Sequence, residues 1–261
     1  MRPIFTNTAT FTTSKRWMVP GGRGQITLPV RCGLCVHPVH GPILIDGGCG
    51  PQITDQAGRS LALRLYAWAL GPKVQEGQSP VDLLAAREFA PEDVNLIVVT
   101  HLHADHVAYL PEFTNARFIT DGVTQGKMRH GVYNELLPPK FAAQQVELRS
   151  YARLAVPGLG DGYDICGDGS MIGVPLPGHA EGHFGLFFPG DRPLLYAVDT
   201  HWVLEGVHQK RAPGFPLSLI AQQKDAMRDT LGRVHRFAAD GGEVLLCHDP
   251  AQTPYDWTPD V

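Results

Sequence analysis

Four side chains able to hold a metal ion fall within six consecutive residues, His101-Leu102-His103-Ala104-Asp105-His106, directly after the apolar, β-branched run Val94 to Thr100. A run of that length and composition, entered through Pro91, is predicted to be a buried strand. The end of such a strand is where α/β sheets place their chemistry. In extended backbone His101, His103 and Asp105 project to one side, and a turn after the strand can bring His106 round. A single histidine is more often a satisfied structural residue than a ligand, but four ligand-type side chains crowded beyond one strand are not explained that way. One ion needs three protein ligands and an open position, so the segment over-supplies one ion and invites a second.

More ligands must then come from elsewhere. Three positions qualify because each follows an apolar run or a proline turn: His179 in Pro177-Gly178-His179, Asp199 after Tyr196-Ala197-Val198, and His248 after Val244 to Cys247. Ile43 to Ile45 reads as a further strand, joined at His40-Gly41 to an extended Val36 to Pro42 and delivering Asp46 to a sheet edge. Helices are predicted over Leu61 to Leu70, closed by Gly71-Pro72, and from Ser79-Pro80-Val81-Asp82 to about Phe89. A third runs from Leu217 to Ala239, with Ile220, Met227, Leu231, Val234 and Ala238 as core. Ala116 to Thr120, Ser170 to Pro175, Gly185 to Phe188, Leu194 to Val198 and Val244 to Cys247 supply strands. Residues 121–154 lack a clean period and are read as a helical insertion or lid.

Length bounds the answer loosely: 261 residues suit one domain, and nothing in the sequence looks like a linker. The formal charge of -4, with basic residues scattered, gives no reason to expect a phosphate backbone as partner. Neither an apolar leader nor a membrane-length apolar run stands out, so a cytoplasmic setting is expected. The five cysteines are an odd set that cannot all pair within the chain. Cys32-Gly33-Leu34-Cys35 has the gap of a zinc knuckle, but no second pair completes a four-ligand site.

Taken in order, Ile43 to Gly48, Pro91-Glu92-Asp93-Val94 leading into His101 to His106, Pro177 to His183, Asp199 and His248-Asp249-Pro250 resemble the metallo-β-lactamase superfamily, within it the branch of the N-acyl-homoserine lactonases. The resemblance implies an α+β fold, an αββα sandwich of two mixed sheets flanked by helices. It implies two divalent metal ions, zinc first. One would be held by His101, His103 and His179, the other by Asp105, His106 and His248, with Asp199 bridging. Asp46 and His183 would support these ligands without touching an ion. The implied activity is that of a dinuclear hydrolase whose metal-bridging hydroxide opens a small lactone or a related ester or amide, with Asp105 and Asp199 as catalytic carboxylates that hold charge and geometry, either of them able to receive the proton. The implied partner is a small molecule, with homodimerisation open and neither nucleic acid nor membrane involved.

Two places depart from the lactonase pattern. The lactonases carry a tyrosine shortly after the bridging aspartate, where this chain runs Asp199-Thr200-His201-Trp202. Trp202 offers one N–H donor and an apolar face but no phenol. After His106 the chain has Val107-Ala108-Tyr109 where relatives are glycine-rich; packing is the first reading of Tyr109 and a phenol for the substrate the second. Trp68, Tyr133 and Phe141 are further candidates for an apolar pocket. Other readings of the same fold are a mononuclear iron dioxygenase acting on a persulfide, a thioesterase, a phosphotriesterase and a β-lactamase. A nucleic-acid processing enzyme and a ligand sensor are weaker ones.

Overall fold

The computed structural model describes residues 1–19, 21–55, 57–122, 134–214 and 222–259. The chain divides into two compact units, one of Met1–Thr12, Pro29–Val146 and Ala251–Val261, the other of Thr13–Leu28 and Glu147–Pro250. Two mixed β-sheets accompanied by helices make up the structure, as the sequence implied.

The first sheet contains β1 (Ile4–Ser14), β2 (Gln25–His37), β3 (Gly41–Ile45), β4 (Lys73–Val74), β5 (Leu96–Val98), β6 (Arg117–Thr120) and β7 (Gln145–Glu147), in the order β4-β1-β2-β3-β5-β6-β7. β2 and β3 pair antiparallel through a turn in which Gly41 has φ 70°. β3, β5 and β6 run parallel, with Ile45 opposite Val98 and Val98 opposite Ile119. Ile43, Leu44, Ile45, Ile97 and Val98 are fully buried, as strands covered on both faces require. The parallel register aligns the carboxyl ends of β3 and β5, and Asp46 N–H donates to the Val98 carbonyl at 2.8 Å. The residues after each strand, Asp46 and Thr100-His101, are therefore neighbours because of strand register.

Helix Leu61–Leu70 begins on Ser60, whose hydroxyl accepts from Leu63 N–H, and ends on Gly71 at φ 56°. Helix Pro80–Ala85 has both halves of its capping box, Asp82 N–H to Ser79 Oγ at 3.1 Å and Ser79 N–H to the Asp82 carboxylate at 2.8 Å. It is shorter than expected. Glu88 takes φ 61° and Phe89 N–H closes onto the Leu84 carbonyl, which ends the helix before Phe89.

The second sheet, β8 (Ala152–Val156), β9 (Gly160–Asp164), β10 (Ile172–Pro175), β11 (Phe184–Phe188), β12 (Leu194–Val198) and β13 (Glu243–Leu246), has the order β13-β12-β11-β10-β9-β8. Its pairs are antiparallel except β12 with β13. Helix Lys224–Ala239 buries Met227, Leu231, Val234 and Phe237 on one face. The last three join a core with Val174, Leu176, Leu195, Ala197 and Leu246. The predicted start of this helix at Leu217, and Ile220 with it, lies outside the described residues.

In the stretch read as an insertion or lid, residues 123–133, with His130 and Tyr133, also lie outside the described residues. The remainder holds short helical turns at Asn134–Leu136, Phe141–Gln144 and Leu148–Ser150, the strand β7 and the start of β8. Phe141 packs on Phe118 with ring centroids 4.8 Å apart, so it is a core residue and not a pocket wall. Trp68 is 80% exposed. Replacing Leu231 by alanine, which empties a site in the core of the second unit, is expected to cost about 2–5 kcal/mol of unfolding free energy, measurable by urea titration.

Candidate functional site

The first unit gathers Asp46, Thr100, His101, His103, Asp105 and His106. Asp46 is fully buried and, although not glycine, sits at φ 62°. The left-handed conformation costs about 1–2 kcal/mol and persists only where the surroundings fix it. Three donors do so: Thr100 N–H at 2.8 Å, Thr100 Oγ1 at 2.9 Å and His106 Nδ1 at 3.0 Å. Burial pushes the Asp46 carboxyl up, against the downward pull of His106 and Thr100.

Thr100 passes the control on. Its hydroxyl donates to Asp46, and its oxygen lies 3.2 Å from His101 Nδ1, which donates back to it. One carboxylate therefore sets the tautomers of His106 directly and of His101 through Thr100, turning Nε2 of each ring to the other side. His101 Nε2 is 3.0 Å from His103 Nδ1. Two imidazole nitrogens at that distance hydrogen-bond if one is protonated, and offer two lone pairs to a cation if neither is. Asp105 opens the short helix Ala104–Val107, with Oδ2 3.8 Å from His106 Nε2. Its Oδ1 accepts from the Tyr66 hydroxyl at 2.6 Å.

The second unit gathers His179, His183, Asp199, Cys247 and His248. The β12 strand ends in Val198 at φ 50°, a β-branched residue in a region it rarely enters. The β12/β13 register shifts between Tyr196 and Val198. That irregularity turns Asp199 out of the strand, where its Oδ2 lies 3.3 Å from His179 Nε2 and 3.2 Å from His248 Nε2. Burial disfavours the charged form of His248, but the Asp199 carboxylate and Cys247 outweigh it and hold its pKa well above the ordinary value. His183 Nδ1 donates to the Leu176 carbonyl at 2.7 Å, and its Nε2 accepts from the Asp199 N–H at 3.3 Å. His183 thus acts on the backbone of Asp199. Gly178 has φ 131°, and a Cβ there would lie 2.4 Å from Met227 Cα, so only glycine lets the His179 turn press against the long helix.

Imidazole nitrogens and carboxylate oxygens are the donors that zinc and its first-row neighbours accept. All but His103 among these ligand-type residues are buried, and buried charges of this kind need a counter-charge or a metal. The residues present fit divalent ions.

The Metallo-beta-lactamase superfamily pattern matches residues 28–235. The chain belongs to that superfamily. An N-acyl homoserine lactonase, AttM, of Agrobacterium fabrum is 30% identical over 246 residues, 89% of this chain and 86% of that protein. The lactonase AiiA of Bacillus thuringiensis subsp. kurstaki is 25% identical over 83% of this chain and 90% of its own. A solved N-acyl homoserine lactone hydrolase, with N-hexanoyl-L-homoserine at its catalytic metal centre, superposes with a TM-score of 0.71 over 95% of this chain and 93% of its own, at 19% identity. The dizinc lactonase AidC does so at 0.65 over 99% of this chain and 94% of its own, at 13% identity. The protein is a lactonase-like, metal-dependent hydrolase of the metallo-β-lactamase fold. No helix among the described residues is long and apolar enough to cross a membrane.

Three residues of the site escaped the sequence reading: Thr100, named there only as the end of a strand, Cys247 and Tyr66. Cys247, counted there only among the thiols and as a strand end, is buried, and its Sγ lies within 4.8 Å of ligand atoms of Asp199 and His248; its place directly before His248 was the available signal. Tyr66 lay unremarked within a leucine-rich helix. Of the two pocket candidates, Trp202 is 8% exposed and stands edge-on to the His248 ring, centroids 5.2 Å apart. Tyr109 lies against Gly50, where a Cβ would come within 2.8 Å of its ring, and burial pushes its phenol up to about 12. Cys32 Sγ donates to the Asp46 carbonyl, and both Cys32 and Cys35 are buried in β2.

Asp46→Asn is expected to lower zinc affinity about 10–100-fold with the fold retained, read by chelator competition, because an amide nitrogen cannot accept the His106 or Thr100 proton. His201 supplies a pH dependence. Its Nδ1 accepts from Val203 N–H at 3.0 Å, and burial brings its pKa down to about 4. A depressed folded pKa means stability is in full above the unfolded value near 6.5 and is lost as pH falls toward the folded one. Metal-free protein should therefore lose on the order of 3 kcal/mol of unfolding free energy from this group between pH 6.5 and 4. His201→Asn should flatten that slope in urea titrations.

Proposed function

We propose that the two donor groups are halves of one dinuclear zinc centre that opens an N-acyl homoserine lactone or a closely related small ester or amide. In this reading His101, His103 and His179 would hold one ion and Asp105, His106 and His248 the other, with Asp199 shared between them. The observation that carries it is Asp199 Oδ2, which lies 3.2–3.3 Å from Nε2 of both His179 and His248, histidines that the reading assigns to different ions. One oxygen facing both is what a bridging carboxylate needs. The lactonase relatives, matched over most of their length, support the substrate class.

When bound, the ions supply Lewis acidity toward a carbonyl oxygen and acidify water enough for hydroxide to form near neutral pH. The protein supplies the rest. Asp46 and Thr100 keep His101 and His106 in one tautomer, and His183 holds the backbone from which Asp199 projects. Asp105 and Asp199 fix the charge around the reacting carbonyl and are the acids placed to receive a proton during turnover. Trp202 presents an apolar edge beside His248 where the lactonases place a phenol. It favours substrates with an apolar acyl group and gives weaker help to an oxyanion. Because five cysteines are an odd set that cannot all pair within the chain, reduced thiols are expected, and we place the enzyme in the cytoplasm.

The test is a panel of lactones, thioesters, β-lactams and phosphoesters turned over by the zinc-loaded protein beside His106→Ala, with metal analysis of both. Two zinc ions per chain, lactone as the best substrate and at least a ~100-fold loss of kcat/KM in the variant are expected. Equal turnover by the two proteins would refute the assigned chemistry, and a single iron per chain would favour the persulfide dioxygenase.

A further inference from the structure

We infer that Tyr66 is the positioning residue for Asp105, and through it for the ion that Asp105 and His106 share; this rests on the dinuclear reading above. The Tyr66 hydroxyl donates to Asp105 Oδ1 at 2.6 Å. Hydroxyl to carboxylate bonds of that length are the strong, charge-assisted kind. The other oxygen of the same carboxylate faces His106 Nε2 at 3.8 Å. The two oxygens of a free carboxylate are equivalent, and rotation about the last side-chain torsion is soft. A short bond to Oδ1 removes both freedoms, leaving Oδ2 as the oxygen turned to the His106 ring.

Tyr66 is itself held firmly enough to do this. Along the helix Leu61–Leu70, Leu63 and Ala67 are buried, and Tyr66, three residues after Leu63, lies beside it at the border of the buried face. Leu61, Leu65 and Trp68, at 70%, 55% and 80% exposure, mark the opposite face. The start of the helix is fixed by Ser60, whose hydroxyl accepts from Leu63 N–H and whose own N–H donates to the Glu135 carboxylate at 3.1 Å. Gly71 in the left-handed region closes its end. A capped helix with one buried face thus carries a phenol to the acid of a helix only four residues long. Asp105 has little secondary structure of its own to orient it, and Tyr66 makes up the difference.

Tyr66→Phe deletes the oxygen and keeps the ring, so the packing of the helix stays. In zinc-loaded protein titrated with a competing chelator, the second zinc is expected to leave at about 10–100-fold lower chelator concentration than in wild type, while the first is unmoved. In turnover of the best lactone kcat should fall with KM nearly constant. In the visible spectrum of cobalt-loaded protein one ion's bands should shift. Within an Asp105→Ala background the same substitution should change none of these, because the two residues act as one unit. Unchanged affinity for both zinc ions in Tyr66→Phe, or a metal effect that adds in full to that of Asp105→Ala, would overturn the assignment. So would a change confined to thermal stability, the signature of a merely structural bond. A wild-type chain that takes up only one ion overturns this inference together with the dinuclear reading, whereas two ions in wild type with an unaffected variant overturns the role of Tyr66 alone.

Discussion

Each unit carries a carboxylate almost wholly removed from water, Asp46 in the first and Asp199 in the second, and the site geometry follows from keeping those charges paired. An unpaired buried carboxylate costs several kcal/mol, so each must be surrounded by donors in fixed places. Asp46 takes the Thr100 amide and hydroxyl and the His106 ring. Asp199 has two imidazole nitrogens within 3.3 Å of one oxygen, and its own amide is tied to His183. In both units the donors are the candidate ligands themselves or residues that touch them, so satisfying the acid orients the ligands.

Regular strand geometry would not deliver either acid. Side chains on a strand alternate between faces, and an acid in register would point into a sheet face. The chain escapes by a left-handed residue at each strand end, Asp46 itself after β3 and Val198 immediately before Asp199. Neither is glycine, and for Val198 the branched side chain makes the conformation more costly still. Strain at just these positions, with rigid buried strands behind them, is what a site that must hold its geometry against relaxation would show.

Much of this was legible because the relevant signals are local. The capping box at Ser79 and Asp82, the glycine after Leu70 and the strand Leu194–Val198 each announce themselves within a few residues and stand where the sequence put them, and the apolar run before His101 forms a shorter strand, Leu96–Val98, inside the predicted Val94 to Thr100. The ordered ligand motifs carried the family. Elements whose burial is decided at long range were not legible. β1 is rich in threonine and reads as polar, yet Thr6 and Thr8 are fully buried because their hydroxyls reach the carbonyls of Gln78 and Val30. The β8–β9 hairpin lies largely at the surface, so it lacks the apolar alternation by which strands are recognised. Tyr66 escaped because helical periodicity gives a face but not the group that faces it, and Asp105 is 39 residues away in sequence.

Substrate preference turns on what replaces an absent phenol. Trp202 has one donor, directed by a ring that is buried against His248, and so cannot rotate freely toward a developing oxyanion. Tyr109 keeps its proton at any physiological pH and is committed to packing against Gly50. The hydroxyl of Tyr66 is spent on Asp105. In the dinuclear reading proposed above, with none of these three groups disposed to replace the lactonase tyrosine, stabilisation of a tetrahedral oxygen would fall more heavily on the ions than where a tyrosine assists. Chemistry that leaned on the metals in this way would favour acyl compounds with good leaving groups or ring strain, which need less help at the oxyanion, and a lactone would be among them.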